Sequence, residues 1–142
     1  MREILFRGQT RRKGEKVRMG DGKPIDSNWV YGGIFPQNKD GDFSIIYQYE
    51  PIEKRVVYAD TVGQYTGKPD KNDEKIFEHD IVSIFGEDGF FEVMWDNDTA
   101  RFIMTGYSVT VDFDNYDSKD IEVIGNIFDN PDLLTTSSTD SD

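Results

Sequence analysis

The chain contains no cysteine and only one histidine, His79. The first absence removes disulfides, thiolate metal sites and cysteine nucleophiles together. The second leaves no further imidazole to complete a metal shell. No segment approaches the roughly 20 consecutive apolar residues that a membrane-spanning helix requires. The opening stretch "MREILFRGQTRRKG" is charged but has no apolar run after it, so it does not read as a secretory signal, and a cytoplasmic location is expected. Internal repeats and coiled-coil heptads are also missing.

The 142 residues suffice for one globular domain, or two very small ones packed together. Hydrophobic residues make up 36%, but 13% are aromatic, with ten Phe, seven Tyr and two Trp, and large rings supply core area efficiently. The net charge of −12 is uneven. Residues 1–24 hold eight Lys/Arg against three Asp/Glu, a balance of +5, and the remaining 118 residues hold eight against 25, a balance of −17. An acidic body disfavours ordinary duplex binding and attracts basic protein surfaces, or serves only solubility.

Alternation with period two dominates. In "FSIIYQY" (43–49) Ile45, Tyr47 and Tyr49 share one face, and Ser44, Ile46 and Gln48 the other. In "FFEVMW" (90–95) Phe91, Val93 and Trp95 alternate with Phe90, Glu92 and Met94, and in "SVTVDF" (108–113) Val109, Val111 and Phe113 point inward. These are half-buried strands. Turn signals separate them: "KDGD" (39–42), "EPIEK" (50–54), "GEDG" (86–89) and "DNDT" (96–99). "YGG" at 31–33 marks a bulge or tight bend in a strand. The pattern predicts an all-β, mainly antiparallel fold in a sandwich or small barrel. At most one or two short helical turns are expected, the best candidate lying across 69–78 with Asp70 as its cap. Residues 8–27 read as a polar, basic loop or arm, and 135–142 as a disordered acidic Ser/Thr tail.

Chemistry concentrates in "GQYTGKPDKNDEKIFEHDIV" (63–82). Asp70, Asn72 and Glu74 have the opening spacing of a calcium loop, but Lys75 stands where such a loop needs Gly and Ile81 where it needs Glu, so a polar turn is the better reading. His79 lies between Glu78 and Asp80, a pairing that would suit a general base or ligand, yet neighbours in a strand point to opposite faces. An exposed turn residue is the simpler reading. The acids of "DNDTAR" and 112–120 lack the lysine or histidine that usually completes a carboxylate–metal hydrolase site. Arg7, Arg11, Arg12, Lys13, Lys16 and Arg18 would track phosphates, but no aromatic residue is interleaved for base stacking between Arg7 and Lys23.

Three pieces in order, "REILFRG" (2–8), "QYTGKPDKNDEKIFEHDIV" (64–82) and "EVIGNIFDNPDLL" (122–134), resemble the YopX family of phage and prophage proteins. Matching positions of the central motif are Gln64, Tyr65, Thr66, Gly67, Asp70, Ile76, Phe77, Glu78, Asp80 and Ile81. The sequence departs from the family pattern at Lys68, where Leu is usual, and at Asp73 and His79, where Gly is usual. A Gly position often needs φ > 0, so His79 reads as a backbone accommodation and the motif as structural. Gly67 is then expected in a turn and Gly125, beside Asn126, where backbones approach closely. Ile124, Ile127 and Phe128 are expected in the core, and Leu133 and Leu134 docked onto the body or another subunit.

The resemblance implies an N-terminal β unit (1–66) and an SH3-like β-barrel unit (67–134). It brings no established activity, and no catalytic residue, cofactor or metal is expected. The first expectation is an accessory protein that acts by contact with a host or phage protein, its acidic surface in one version mimicking nucleic acid. A nucleic-acid-binding module using the basic arm comes next, and a carboxylate–metal hydrolase last. Edge strands leave pairing with another copy of the chain open.

Overall fold

A computed structural model describes residues 3–15, 27–34, 41–49 and 51–134. Its chain divides into two compact units, Met1–Gln64 and Tyr65–Asp142. Both are built from antiparallel strands, as the alternation predicts.

In the first unit β1 (Phe6–Arg11), β2 (Asn28–Ile34), β3 (Phe43–Tyr49) and β4 (Ile52–Tyr58) lie in the order β4-β3-β2-β1. The β3–β4 hairpin is in continuous register from Phe43↔Tyr58 to Tyr49↔Ile52. Val30, Ile46 and Val57 form the core, with Phe6 and Val62 packed on it. The inward face of β3 is therefore Ser44 and Ile46, and the face bearing Ile45 and Tyr47 is only partly covered. Gly32 lies where β2 meets β3: a Cβ there would fall 1.7 Å from the Tyr47 carbonyl oxygen. The irregularity expected in "YGG" sits instead in the partner strand, between Gln9 and Arg11.

Part of the expected loop at 8–27 is strand. Residues 8–11 belong to β1, and Gln9 is buried with its amide donating to Thr61 Oγ1 at 2.8 Å. Residues 12–15 form a turn, and 16–26 lie outside the described residues, as does the tail 135–142. A one-turn 3₁₀ helix, Ala59–Thr61, follows β4. Strand β5 (Gly63–Pro69) then begins in the first unit, where Gln64 pairs with Phe6, and ends in the second.

The second unit continues β5 against β6 (Lys75–Phe77) and adds β7 (Asp80–Ile84), β8 (Phe91–Asp96), β9 (Arg101–Thr105), β10 (Thr110–Asp112) and β11 (Ile121–Asn126). The last five make a sheet of order β10-β9-β8-β7-β11, compatible with a small SH3-like barrel. Ile76, Val82, Ile84, Phe91, Val93, Met104, Phe113 and Ile121 fill its core. Burying side chains of this size contributes about 1.5–3 kcal/mol each before entropy is subtracted. From β11 the fully buried side chain is Ile121; Ile124, Ile127 and Phe128, expected in the core, are half-buried. Val109, placed inward by alternation, is exposed just before β10, and Trp95, on the same alternating face as Phe91 and Val93, is exposed near the end of β8.

The helical turn expected across 69–78 is absent, because turn 70–74 closes straight into β6. One-turn 3₁₀ segments occupy Phe113–Asn115 and Ser118–Asp120, and a single helical turn covers 132–134, with Leu133 and Leu134 half-buried.

Candidate functional site

The motif expected to be a turn that launches a strand is tied together by carboxylates that accept backbone hydrogen bonds. Asp70, only 3% exposed, takes the amides of Asn72 (2.8 Å) and Glu74 (2.9 Å) on Oδ1 and that of Val123 (2.9 Å) on Oδ2. Its own backbone closes the turn, with Asp70 N–H donating to the Glu74 carbonyl at 2.7 Å. The Asp70–Asn72–Glu74 spacing that resembles a calcium loop thus comes from an Asx turn, in which the chain's own amides occupy the carboxylate. Lys71 N–H donates to the Ile121 carbonyl, so the turn is bound to β11 by two separate bonds.

Asp80 is also buried, and its Oδ2 accepts the Phe77 amide at 2.8 Å across the Glu78–His79 connection. That connection needs left-handed backbone: His79 has φ 74° and Asp73, in the preceding turn, φ 65°. Both are positions where the resemblance led us to expect φ > 0. His79 is not an exposed turn residue, however. Its amide donates to the Val93 carbonyl (2.7 Å), and its carbonyl accepts from Ile127 (3.0 Å). Its ring packs edge-on against Phe128 and brings Nδ1 to 3.3 Å from Glu92 Oε2. Glu78 is half-buried beside it.

The start of the motif is engaged in packing and strand pairing. Tyr65 and Phe77 pair across the strands with ring centroids 5.7 Å apart. Thr66 Oγ1 donates to the Ile76 carbonyl at 2.8 Å, and Ile76 and Ile81 are fully buried. Gly67 (φ 92°) absorbs the irregularity in the β5–β6 pairing. Lys68, a departure from the family pattern, donates its Nζ to the carbonyls of Tyr116 (2.6 Å) and Phe113 (3.3 Å) and lies over the Phe113 ring.

At the far end Asn126 Oδ1 accepts the amides of Phe128 and Asp129, which turns the chain after β11. Gly125 is needed for a different contact from the one expected. A Cβ there would sit 2.5 Å from Asn130 Oδ1, a side-chain atom and not an opposing backbone.

The acidic runs are likewise engaged locally. Asp96 accepts the Thr99 hydroxyl (2.6 Å) and the Asp98 amide, which hold its carboxyl below the ordinary range. Asp112 caps the Phe113–Asn115 turn and pairs with Arg101. Among the described residues no three His, Asp or Glu side chains are grouped as a metal would require.

In the first unit Arg12 makes a two-pronged bond with Asp60 and stacks 4.0 Å above the Tyr58 ring. The hydroxyl of Tyr58 donates to Glu15 at 2.6 Å, and that bond raises its pKa.

One feature gives no signal in the sequence. The β7–β8 loop and the β9–β10 hairpin tip enclose a hollow of about 160 Å³ lined by Asp88, Gly89, Phe90, Phe91, Tyr107, Ser108 and Val109. The tip closes through Gly106 N–H to the Val109 carbonyl (2.7 Å), which leaves Tyr107 81% exposed.

Among solved structures the chain is similar to protein EF1440 from Enterococcus faecalis, at 21% identity and a TM-score of 0.48, over 94% of this chain and 99% of that one. No curated protein matches it. The family model described as "YopX protein" matches residues 24–135. That span is most of the chain, and it contains both the Asp70–Asp80 motif and the Asn126 turn; the protein therefore belongs to the YopX family.

Proposed function

We propose that the protein is a phage or prophage accessory protein that works by binding another protein in the bacterial cytoplasm. The observation that carries this reading is the set of large apolar side chains held in solvent: Ile52, Phe85 and Tyr107 most strongly, then Val56, Ile4 and Phe43, with Val109 and Trp95 less so. Exposed apolar groups of this kind favour docking. Asp70 and Asp80, the two buried carboxylates of the motif, by contrast accept backbone amides, which supports a structural role for them.

Affinity capture from bacterial lysate, with and without nuclease, tests the reading. One or two proteins retained under both conditions are expected; retention that vanishes with nuclease overturns it. The narrower version, mimicry of nucleic acid, draws on the second unit's five Lys/Arg against nineteen Asp/Glu. It requires that duplex DNA compete for the captured partner.

A second reading, nucleic-acid binding by the first unit, is favoured by a different observation. That unit holds eleven Lys/Arg against nine Asp/Glu, and the exposed guanidinium of Arg12 lies over the ring of Tyr58. Rings beside cations are the elements of a single-strand platform. Retention of labelled single-stranded DNA at low salt, lost when Arg11, Arg12 and Lys13 are neutralised together, is its signature; unchanged retention in that variant removes the role of the arm.

A further inference from the structure

The protein-binding reading leaves open where the partner docks and what it presents. Resting on that reading, we infer that the hollow between the β7–β8 loop and the β9–β10 tip receives a lysine or arginine side chain from a basic segment of the partner. Phe90, Phe91, Tyr107 and Val109 supply its walls, and Asp88 is the charged residue among its lining.

Size comes first. At about 160 Å³ the hollow falls short of the several hundred Å³ that small-molecule sites occupy, but it holds one long side chain. Chemistry narrows the choice. Aromatic rings attract a cation through their faces, and a neighbouring carboxylate receives its hydrogen bonds. Lysine and arginine add an aliphatic stem that lies against apolar walls such as Val109.

The acid is available for this. Glu87, next in sequence, already accepts the Tyr116 hydroxyl, whereas no cation pairs with Asp88 among the described residues. The surroundings agree in sign, with five Lys/Arg against nineteen Asp/Glu in the second unit. Such a field speeds the approach of a basic partner. Finally, Tyr107 stands where hairpin tips usually carry Gly, Asn or Asp, and folding does not bury it.

The test uses the full chain and a short fluorescent Arg-Gly-Ser peptide, with a Glu-Gly-Ser peptide as control, read by anisotropy. The Arg peptide binds and the Glu peptide does not. Tyr107→Ser and Asp88→Asn each weaken binding roughly three- to tenfold. Asp98→Asn, the same charge change on the β8–β9 tip, leaves it unchanged. Equal weakening by Asp88→Asn and Asp98→Asn means diffuse attraction and overturns the proposal, as does failure of the Arg peptide to bind. A Tyr107-dependent rise of sedimentation coefficient with protein concentration assigns the hollow to a second copy, and overturns it too. A lysate partner retained unchanged by Tyr107→Ser discards this site and leaves the protein-binding reading standing.

Discussion

Asp70 Oδ2 accepts the backbone N–H of Val123, joining a turn to a strand 53 residues further along the chain. Oδ1 of the same carboxylate holds two amides of its own turn. Asp70→Ala removes a buried carboxylate that holds three backbone donors in part-buried bonds. Water can replace the bonds to the exposed Asn72 and Glu74 amides more easily than the one to Val123, so a loss of about 2–3 kcal/mol is expected in urea unfolding. Asp70→Asn keeps one oxygen but turns an NH₂ group toward either Val123 or the turn amides. Its loss should fall between that of Ala and zero; an Asn variant as unstable as Ala would show that charge, not geometry, dominates.

This bond also marks where sequence reading stops. Lys75 and Ile81 were enough to favour a polar turn over a calcium loop, but the distant partner Val123, which ties that turn to β11, lies outside any local window. Strand β8 was legible because alternation over 91–94 reports burial directly, whereas β7 is buried at four of its five positions and shows no such alternation. In β3 it failed to give a direction, since Ile45 and Ile46 are apolar on opposite faces and Ser44 is the buried companion of Ile46. Residues 8–11 looked like loop because their pairing uses backbone, and the Thr61 hydroxyl that receives Gln9 comes from another element. The positive φ of His79 was legible only through the family pattern. The hollow at Tyr107 arises from two loops, neither of which signals it alone.

His79 gives a test of backbone against side chain. Its φ of 74° costs a non-glycine residue about 1–3 kcal/mol, partly offset here by the contacts with Glu92 and Phe128. His79→Gly removes both strain and contacts and should unfold within about 1 kcal/mol of the parent. His79→Val keeps the strain, adds a β-branch and loses the contacts, so it should fall about 2 kcal/mol or more below Gly. Equal urea midpoints for Gly and Val would mean that the backbone angle is not what this position requires.

Gly32 should tolerate no side chain. A Cβ there meets the Tyr47 carbonyl at 1.7 Å, and a backbone atom cannot swing aside as a side chain does. Gly32→Ala must open the β2–β3 pairing and should cost about 3 kcal/mol or more. The expected readout is faster amide exchange across Gly32–Ile34 and Ile46–Gln48. Parent-like exchange there would show that the strands separate at little cost.

Asp96 supplies the pH dependence. The Thr99 hydroxyl first, and then the Asp98 amide, lower its pKa from 3.8. A carboxyl depressed in the folded state contributes stability that is present above the unfolded value and is lost as pH falls through the folded one. The β8–β9 hairpin should therefore hold at neutral pH and weaken only below about pH 4. Thr99→Val removes the leading cause, so the Asp96 carboxyl should titrate closer to 3.8 in a carbon-detected NMR titration, and the stability deficit of the variant, present at neutral pH, should shrink as pH falls through the parent's folded value. The opposite shift, or none, would mean that the hydroxyl does not stabilise the charged carboxylate. Arg101, whose attraction ranks below both hydrogen bonds, serves as the control: Arg101→Gln should move the Asp96 titration less than Thr99→Val does.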